Sequence, residues 1–271
     1  MSHRIPLAVL GAGIGYYFLR LHRETERIER LAAASFESLL NAIDANDPET
    51  GSHVRRVACY ALILAQAADL DEHQCRMVER IALFHDIGKI HAALFDIIRD
   101  DAKLSPSERR LIATHPQRGA EVLSPLAAFY PDLADGVLSH HERWDGAGYP
   151  RQLAGSRIPL SARIVAIADS FDAITHRRLY RRQRSVAEAI EAIMQGRDTQ
   201  YDPDLVDVFL SPPVVAEVER AMRSLHGPHR AAGHSRARTN EHADVPDVTF
   251  RWRSASRVQL APDRESQTPR G

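Results

Sequence analysis

Cysteine is nearly absent, with only Cys59 and Cys75 in 271 residues. Two thiols so far apart make neither a disulfide scaffold nor a CxxC metal motif, and they favour a reducing compartment. An excess of one charge is also missing. The 35 Lys+Arg and 36 Asp+Glu leave a net charge of -1, so no whole-chain basic field draws in polymeric nucleic acid or an anionic membrane. Long hydrophobic runs are scarce. Ile5 to Leu19 is uncharged for 15 residues between Arg4 and Arg20, which as a helix spans roughly 22 Å against the ~30 Å hydrocarbon core. Three readings stay open for it: a short membrane anchor, an uncleaved signal-like segment, or a buried N-terminal piece. Its glycines Gly11, Gly13 and Gly15 lack the GxGxxG spacing of a dinucleotide loop, and no strand precedes them. Residues 226–271 have no Ile or Met and a single Leu. That composition cannot offset the entropy of ordering and is expected to be a disordered tail.

What remains is ordinary for a globular protein: 44% of residues are hydrophobic and 26% charged, which excludes collagen-like and wholly disordered chains. The length suits two domains, or one larger domain with tails. Apolar residues recur at helical spacing over Leu21 to Ile43, Val54 to Leu70, Glu72 to Phe84, Ser107 to Leu123, Ile158 to Ile174, Ser185 to Met194 and Asp204 to Leu225. Strand-like alternation is hard to find between Glu24 and Leu225. The spacing predicts an all-α domain of about seven to nine helices. The boundaries expected are 1–20 for the apolar segment, 21–43 for a linker helix able to pair with a second copy, 44–225 for the domain and 226–271 for the tail.

The unusual count is histidine, with 14. The run Phe84-His85-Asp86-Ile87-Gly88-Lys89 ends a helical stretch. Adjacent helical residues point about 100° apart, so His85 and Asp86 share a metal only if it lies between them; the second Asp86 oxygen then faces another. Lys89, three and four residues on, lies on the same face and could meet a phosphate oxygen. An HD dipeptide alone is more often an ordinary surface or buried pair. Candidate further ligands are Glu49 and His53 at i,i+4 spacing, His115 before Pro116, the pair His140-His141, and Asp169 within an apolar helix. Taken singly, Glu49 reads as a carboxylate favoured by the helix dipole, and His53 and His115 as satisfied or exposed histidines. Two adjacent imidazoles suit a neutral, metal-bound state, and Asp169 needs a partner for a buried charge. Such a mixed set suits Fe, Mn or similar cations in a dinuclear or trinuclear cluster.

Together these motifs resemble the HD-GYP domain, the branch of HD-type metal-dependent phosphohydrolases that hydrolyses the bacterial second messenger cyclic di-GMP. The resemblance is carried by His85-Asp86-Ile87-Gly88-Lys89, by His115-Pro116 with Gly119, and by His140-His141-Glu142-Arg143-Trp144-Asp145-Gly146-Ala147-Gly148-Tyr149-Pro150. It continues in Ala168-Asp169-Ser170-Phe171-Asp172-Ala173 and runs from about Asp44 to Leu210. It implies an HD-type helical bundle with a metal cluster in its core. The implied ligands are His53, His85, Asp86, His115, His140, His141 and Asp169, with Asp86 bridging two metals and Glu49 helping to hold a third. It further implies Lys89 on the scissile phosphate, Gly148-Tyr149-Pro150 beside the nucleotide, and Arg178 and Arg181 on the other phosphate, although an Arg-rich stretch can equally be a solvated face.

The implied chemistry is attack by a metal-activated hydroxide to give pGpG and then GMP, with two or three divalent ions, Fe or Mn first. Signalling partner proteins, a cytoplasmic catalytic domain and inner-membrane attachment through residues 5–19 complete the expectation. Two alternatives stand beside it: a slow or inactive nucleotide-binding signalling module, and a hydrolase of another cyclic dinucleotide or nucleotide. The chain departs from the family at Ile90 to Asp96 and Asp100 to Lys103, where a Gly-Ile-Pro-Asp stretch and a Lys-Pro-Gly turn are usual; His91 replaces a glycine.

Overall fold

A computed structural model describes residues 7–90, 105–176 and 184–225. The chain divides into Met1–Gly227 and Pro228–Gly271. The second unit lies outside the described residues, as do the expected disordered tail, Arg178, Arg181 and the divergent stretch from His91 to Lys103.

The described residues form ten α-helices and no β-strand: α1 (Leu7–Asn46), α2 (Pro48–Ala67), α3 (Glu72–Phe84), α4 (Pro106–Ile112), α5 (His115–Leu123), α6 (Leu133–Ser139), α7 (Leu160–Thr175), α8 (Val186–Gln195), α9 (Pro203–Phe209) and α10 (Pro212–Leu225). The all-α expectation holds. Local chemistry sets the helix starts. Asp47 caps α2 by accepting from the Glu49 N–H, with Pro48 just inside. Capping boxes open α3 at Asp71/Gln74, α4 at Ser105/Glu108 and α8 at Ser185/Glu188. The spans Ser107–Leu123 and Asp204–Leu225, each expected as one helix, are each broken in two. His115-Pro116 begins a new helix after a turn at Ala113-Thr114, and Pro212-Pro213 removes consecutive N–H donors after Ser211.

The core lies between α2, α3 and α7. Val57, Tyr60, Ala61 and Leu64 from α2 meet Val78, Ile81, Ala82 and Phe84 from α3 and Ile164, Ile167, Ala168 and Phe171 from α7, all buried. Tyr60 and Phe171 pack edge to face with centroids 5.3 Å apart. From Leu7 onward the apolar N-terminal run and the linker helix, expected as separate pieces, are one continuous helix. Its C-terminal part grips the domain: Phe36 stacks on Phe84 and meets Tyr130 at a tilt, each ring centroid 5.2 Å away, and Ile43 is buried. Asp44 makes a two-pronged pair with Arg55 of α2 at 2.7 and 2.5 Å. Upstream of Phe36 the described side chains are exposed, Tyr16 and Leu31 among them. No helix of the described residues is long and apolar enough to cross a membrane. A crossing anchor in residues 5–19 is therefore not supported: the helix continues past Leu19 into Arg20, His22, Arg23 and Glu24.

Candidate metal centre

Seven helix-borne or helix-terminal side chains converge at one end of the core. His53 comes from the middle of α2, and His85-Asp86 directly follow α3. His115 is the first residue of α5, His140-His141 directly follow α6, and Asp169 sits on α7. These make two groups able to hold a cation, His53/His85/Asp169 and His115/His140/His141, with the ligand atoms of each within 4.8 Å of one another. Asp86 lies between them. One of its oxygens is 3.3 Å from His115 Nε2 and the other is 3.5 Å from His85 Nε2 and 3.9 Å from His53 Nε2.

Close backbone approach makes this possible. After α3 the chain tightens into a 3-10 turn, Ile87–Ile90, pressed against the start of α5. A Cβ on Gly88 would stand 2.1 Å from the His115 carbonyl oxygen and 2.7 Å from the Gly119 nitrogen. Only glycine lets Asp86 and His115 come together. A second glycine does the same for the loop after His141: a Cβ on Gly148 would stand 2.4 Å from the Arg143 nitrogen. The loop is held from inside by buried Glu142, whose carboxylate accepts the N–H groups of Arg151 (2.7 Å) and Leu153 (3.0 Å). This folds the Tyr149 ring onto His141, stacked at 4.9 Å and 25°. The Tyr149-Pro150 bond is cis.

The ring orientations suit a cation. Nδ1 of His85, His115 and His140 lies 2.7, 2.8 and 2.6 Å from the carbonyl oxygens of Ala82, Ile112 and Val137. A carbonyl can only accept, so each Nδ1 carries the proton and each Nε2 turns its lone pair inward. Nε2 of His115 and His140 then face each other at 3.1 Å with no proton between two neutral rings. His53 Nε2, His85 Nε2 and Asp86 Oδ1 are buried without any hydrogen-bond partner. His53 Nε2 does lie 3.2 Å from an Asp169 oxygen, close but not in hydrogen-bonding geometry. Inward lone pairs and orphaned buried acceptors are costly unless a positive ion sits among them. The residues present fit divalent metal, and the donor set of imidazole and carboxylate agrees with that class.

The electrostatics differ across the pocket. Burial, then the neighbouring imidazoles His141, His85 and His115, holds His140 well below the ordinary histidine value. Burial and His115 bring His141 down to about 3. His53 goes the other way. Burial opposes its proton, but the adjacent carboxylates of Asp169 and Asp172 outweigh that and raise it to about 9. Asp86 is held well below the carboxylate range despite burial, by Lys89 and His85 first. Lys89 Nζ sits 2.6 Å from Asp86 Oδ2 at the mouth of the pocket, its side chain 25% exposed.

Glu49 stands apart. It occupies the exposed first turn of α2 and belongs to neither group. Its i,i+4 spacing to His53 is as expected, but the helix start carries its carboxylate out towards solvent. Two supporting residues escaped the sequence reading. Asp172 lies fully buried on α7 beside His53, and Arg56 on α2 reaches the same carboxylate. The reasoning that singled out Asp169, a charge on an apolar helix, applied equally three residues later.

Comparison with known proteins places these features in context. The HD domain family matches residues 37–205. A 3'3'-cGAMP-specific phosphodiesterase of Vibrio cholerae is 36% identical over 174 residues, covering 64% of this chain and 33% of that protein. A probable cyclic di-GMP phosphodiesterase of the same organism is 36% identical over 203 residues, covering 69% of this chain and 46% of its own. The chain thus spans less than half the length of either. A crystal structure of a cyclic GMP-AMP specific phosphodiesterase from V. cholerae shares the fold, with a TM-score of 0.51 at 24% identity over 71% of this chain and 53% of that one.

Proposed function

The chain belongs to the HD domain family, and from that membership and the pocket we propose that it hydrolyses cyclic di-GMP to pGpG and then GMP at a centre of two divalent ions, Fe or Mn first. The observation that supports this most is Asp86, buried between two three-ligand groups whose imidazole lone pairs turn inward. His53, His85 and Asp169 would hold one ion, His115, His140 and His141 the other, with Asp86 shared. Bound there, such ions lower the pKa of water and offset charge developing on a phosphate.

The chain's own residues do the rest. Lys89, at the pocket mouth, is placed to meet an oxygen of the scissile phosphate. Its ammonium also leaves Asp86 ionised and ready to bridge. Tyr149, partly exposed and stacked on His141, offers an aromatic surface for a guanine, held in place by Gly148, Pro150 and the Glu142 carboxylate. Arg178 and Arg181, by their sequence positions, would grip the phosphate that is not cut. Glu49 would complete a third metal position only by turning its carboxylate inward. Residues 44–225 form the catalytic domain in this reading, cytoplasmic where the messenger is made; of the helix over residues 21–43, the part from Phe36 onward packs on that domain and the exposed part before it is available to pair with a second copy or a signalling partner.

A second substrate has a specific observation in its favour: a relative at 36% identity is named as specific for 3'3'-cGAMP. Turnover of each cyclic dinucleotide by the metal-loaded full chain, read by chromatography of products, separates the two. Faster conversion of cyclic di-GMP to pGpG or GMP is the expected result. Preference for 3'3'-cGAMP would move the assignment to that substrate, and no cleavage of either despite bound metal would favour a nucleotide-binding signalling module.

A further inference from the structure

The two metal-binding groups are supported in different ways. In the His115/His140/His141 group, two of the three rings are held by carbonyl oxygens of their own helical turns. His53 sits mid-helix, where the carbonyls of its own chain are spent on the helix, and its Nδ1 is held by a side chain from another helix. Asp172 Oδ2 is 2.7 Å from His53 Nδ1.

That carboxylate is itself fixed on every side. Arg56 Nε donates to Oδ1 at 2.7 Å and Nη2 to Oδ2 at 2.9 Å, and His176 Nδ1 lies 3.0 Å from Oδ1. Arg56 lies one turn beyond His53 on α2, while Asp172 and His176 lie one turn apart at the end of α7. The cluster therefore pins the face of α2 that carries His53 to the face of α7 that carries Asp169. Asp172 meets His53 at Nδ1 and belongs to neither metal group.

We propose that Asp172, clamped by Arg56 and His176, is a positioning residue for one metal only: it aims His53 Nε2 into the His53/His85/Asp169 group and leaves the His115/His140/His141 group unaffected. Hydrogen-bonding partners of a metal-bound histidine are typically worth about 10–100-fold in metal affinity. The inference rests on the metal-centre reading above.

The test reads Mn2+ binding without substrate. Full-length protein carrying His140→Ala retains the first group, and protein carrying His53→Ala retains the second. Asp172→Asn, close to isosteric, is added to each, and Mn2+ is titrated by calorimetry. Affinity is expected to fall about ten-fold or more in the His140→Ala background and to change less than about two-fold in the His53→Ala background. Arg56→Gln, which leaves the His53–Asp172 contact in place, should weaken the first group selectively but by less, and serves if Asp172→Asn does not fold. Equal losses in both backgrounds would mean a general packing role, and unchanged affinity of the first group would mean no role; either overturns the proposal. Failure of the unsubstituted protein to bind Mn2+ would instead overturn the metal-centre reading itself.

Discussion

The two halves of the pocket contrast in charge and in origin. His115, His140 and His141 form an all-imidazole set whose members are drawn from neighbouring helix ends, and burial beside like groups keeps His140 and His141 neutral far below ordinary histidine values. His53, His85 and Asp169 come from three separate helices, with carboxylates on two sides, and His53 holds its proton up to about 9. Imidazoles crowd one another in one half; in the other, carboxylates stand beside them. Burial alone therefore does not decide a histidine's state: the nearest fixed charge does.

The largest expected effect is on the residue the halves share. Asp86→Ala should abolish turnover, given its place between the two ligand groups, and lower metal content in both groups. Its circular dichroism should stay that of an all-α protein. Persistent turnover would remove Asp86 from the mechanism.

Next comes Gly88→Ala. The added carbon meets backbone on both sides rather than flexible side chains, so α5 has to move and carry His115 with it. A displacement of about 1 Å typically costs around 100-fold in rate. Steady-state turnover checks this, and wild-type rates would show that the contact at Gly88 does not set the separation of Asp86 and His115.

The contrast in charge predicts opposite pH limits on the metal-free protein. A histidine depressed in the fold, as His141 is to about 3, contributes stability above 6.5 that is lost as pH falls towards 3. One raised in the fold, as His53 is to about 9, contributes stability below 6.5 that is lost as pH rises towards 9. Thermal melts of metal-free protein from pH 4 to 10 should therefore peak near neutrality. Metal loading at pH 7.5 should also release about one proton, from His53, measurable by calorimetry in buffers of different ionisation enthalpy. A melting curve that rises steadily from pH 7 to 10 would contradict the raised value for His53.

The smallest effect is expected for Glu49→Ala, with stoichiometry near two metals per chain in both proteins. A fall from three to two on substitution would show that the exposed carboxylate does turn inward.

The sequence pointed to the residues that converge in the pocket better than to their supports. His85-Asp86, His140-His141 and Asp169 were visible because each breaks a local rule: paired histidines, or a charge amid apolar helix residues. Asp172 broke the same rule but was hidden by its neighbour, and no spacing linked it to His53, 119 positions away. The helical period recovered α3, α7 and α8 closely. It missed the short α6, whose seven residues include Asp135, Gly136 and Ser139, and it ran α4 into α5 because apolar spacing continues across the turn before His115-Pro116. Glu49 was over-read for the complementary reason. Residues at i and i+4 share a face, but a first turn can lie outside the pocket that the next turn enters.

The most direct test of the central claim joins metal count to turnover. Metal-free full-length protein is titrated anaerobically with Mn2+ or Fe2+, and at each point bound metal and the rate of cyclic di-GMP cleavage are measured on the same sample. The rate is expected to stay near zero through the first equivalent and to rise with the second, with pGpG appearing before GMP. Full turnover by metal-free protein, or a rate already saturated at one ion per chain, would contradict a centre built from two groups around Asp86.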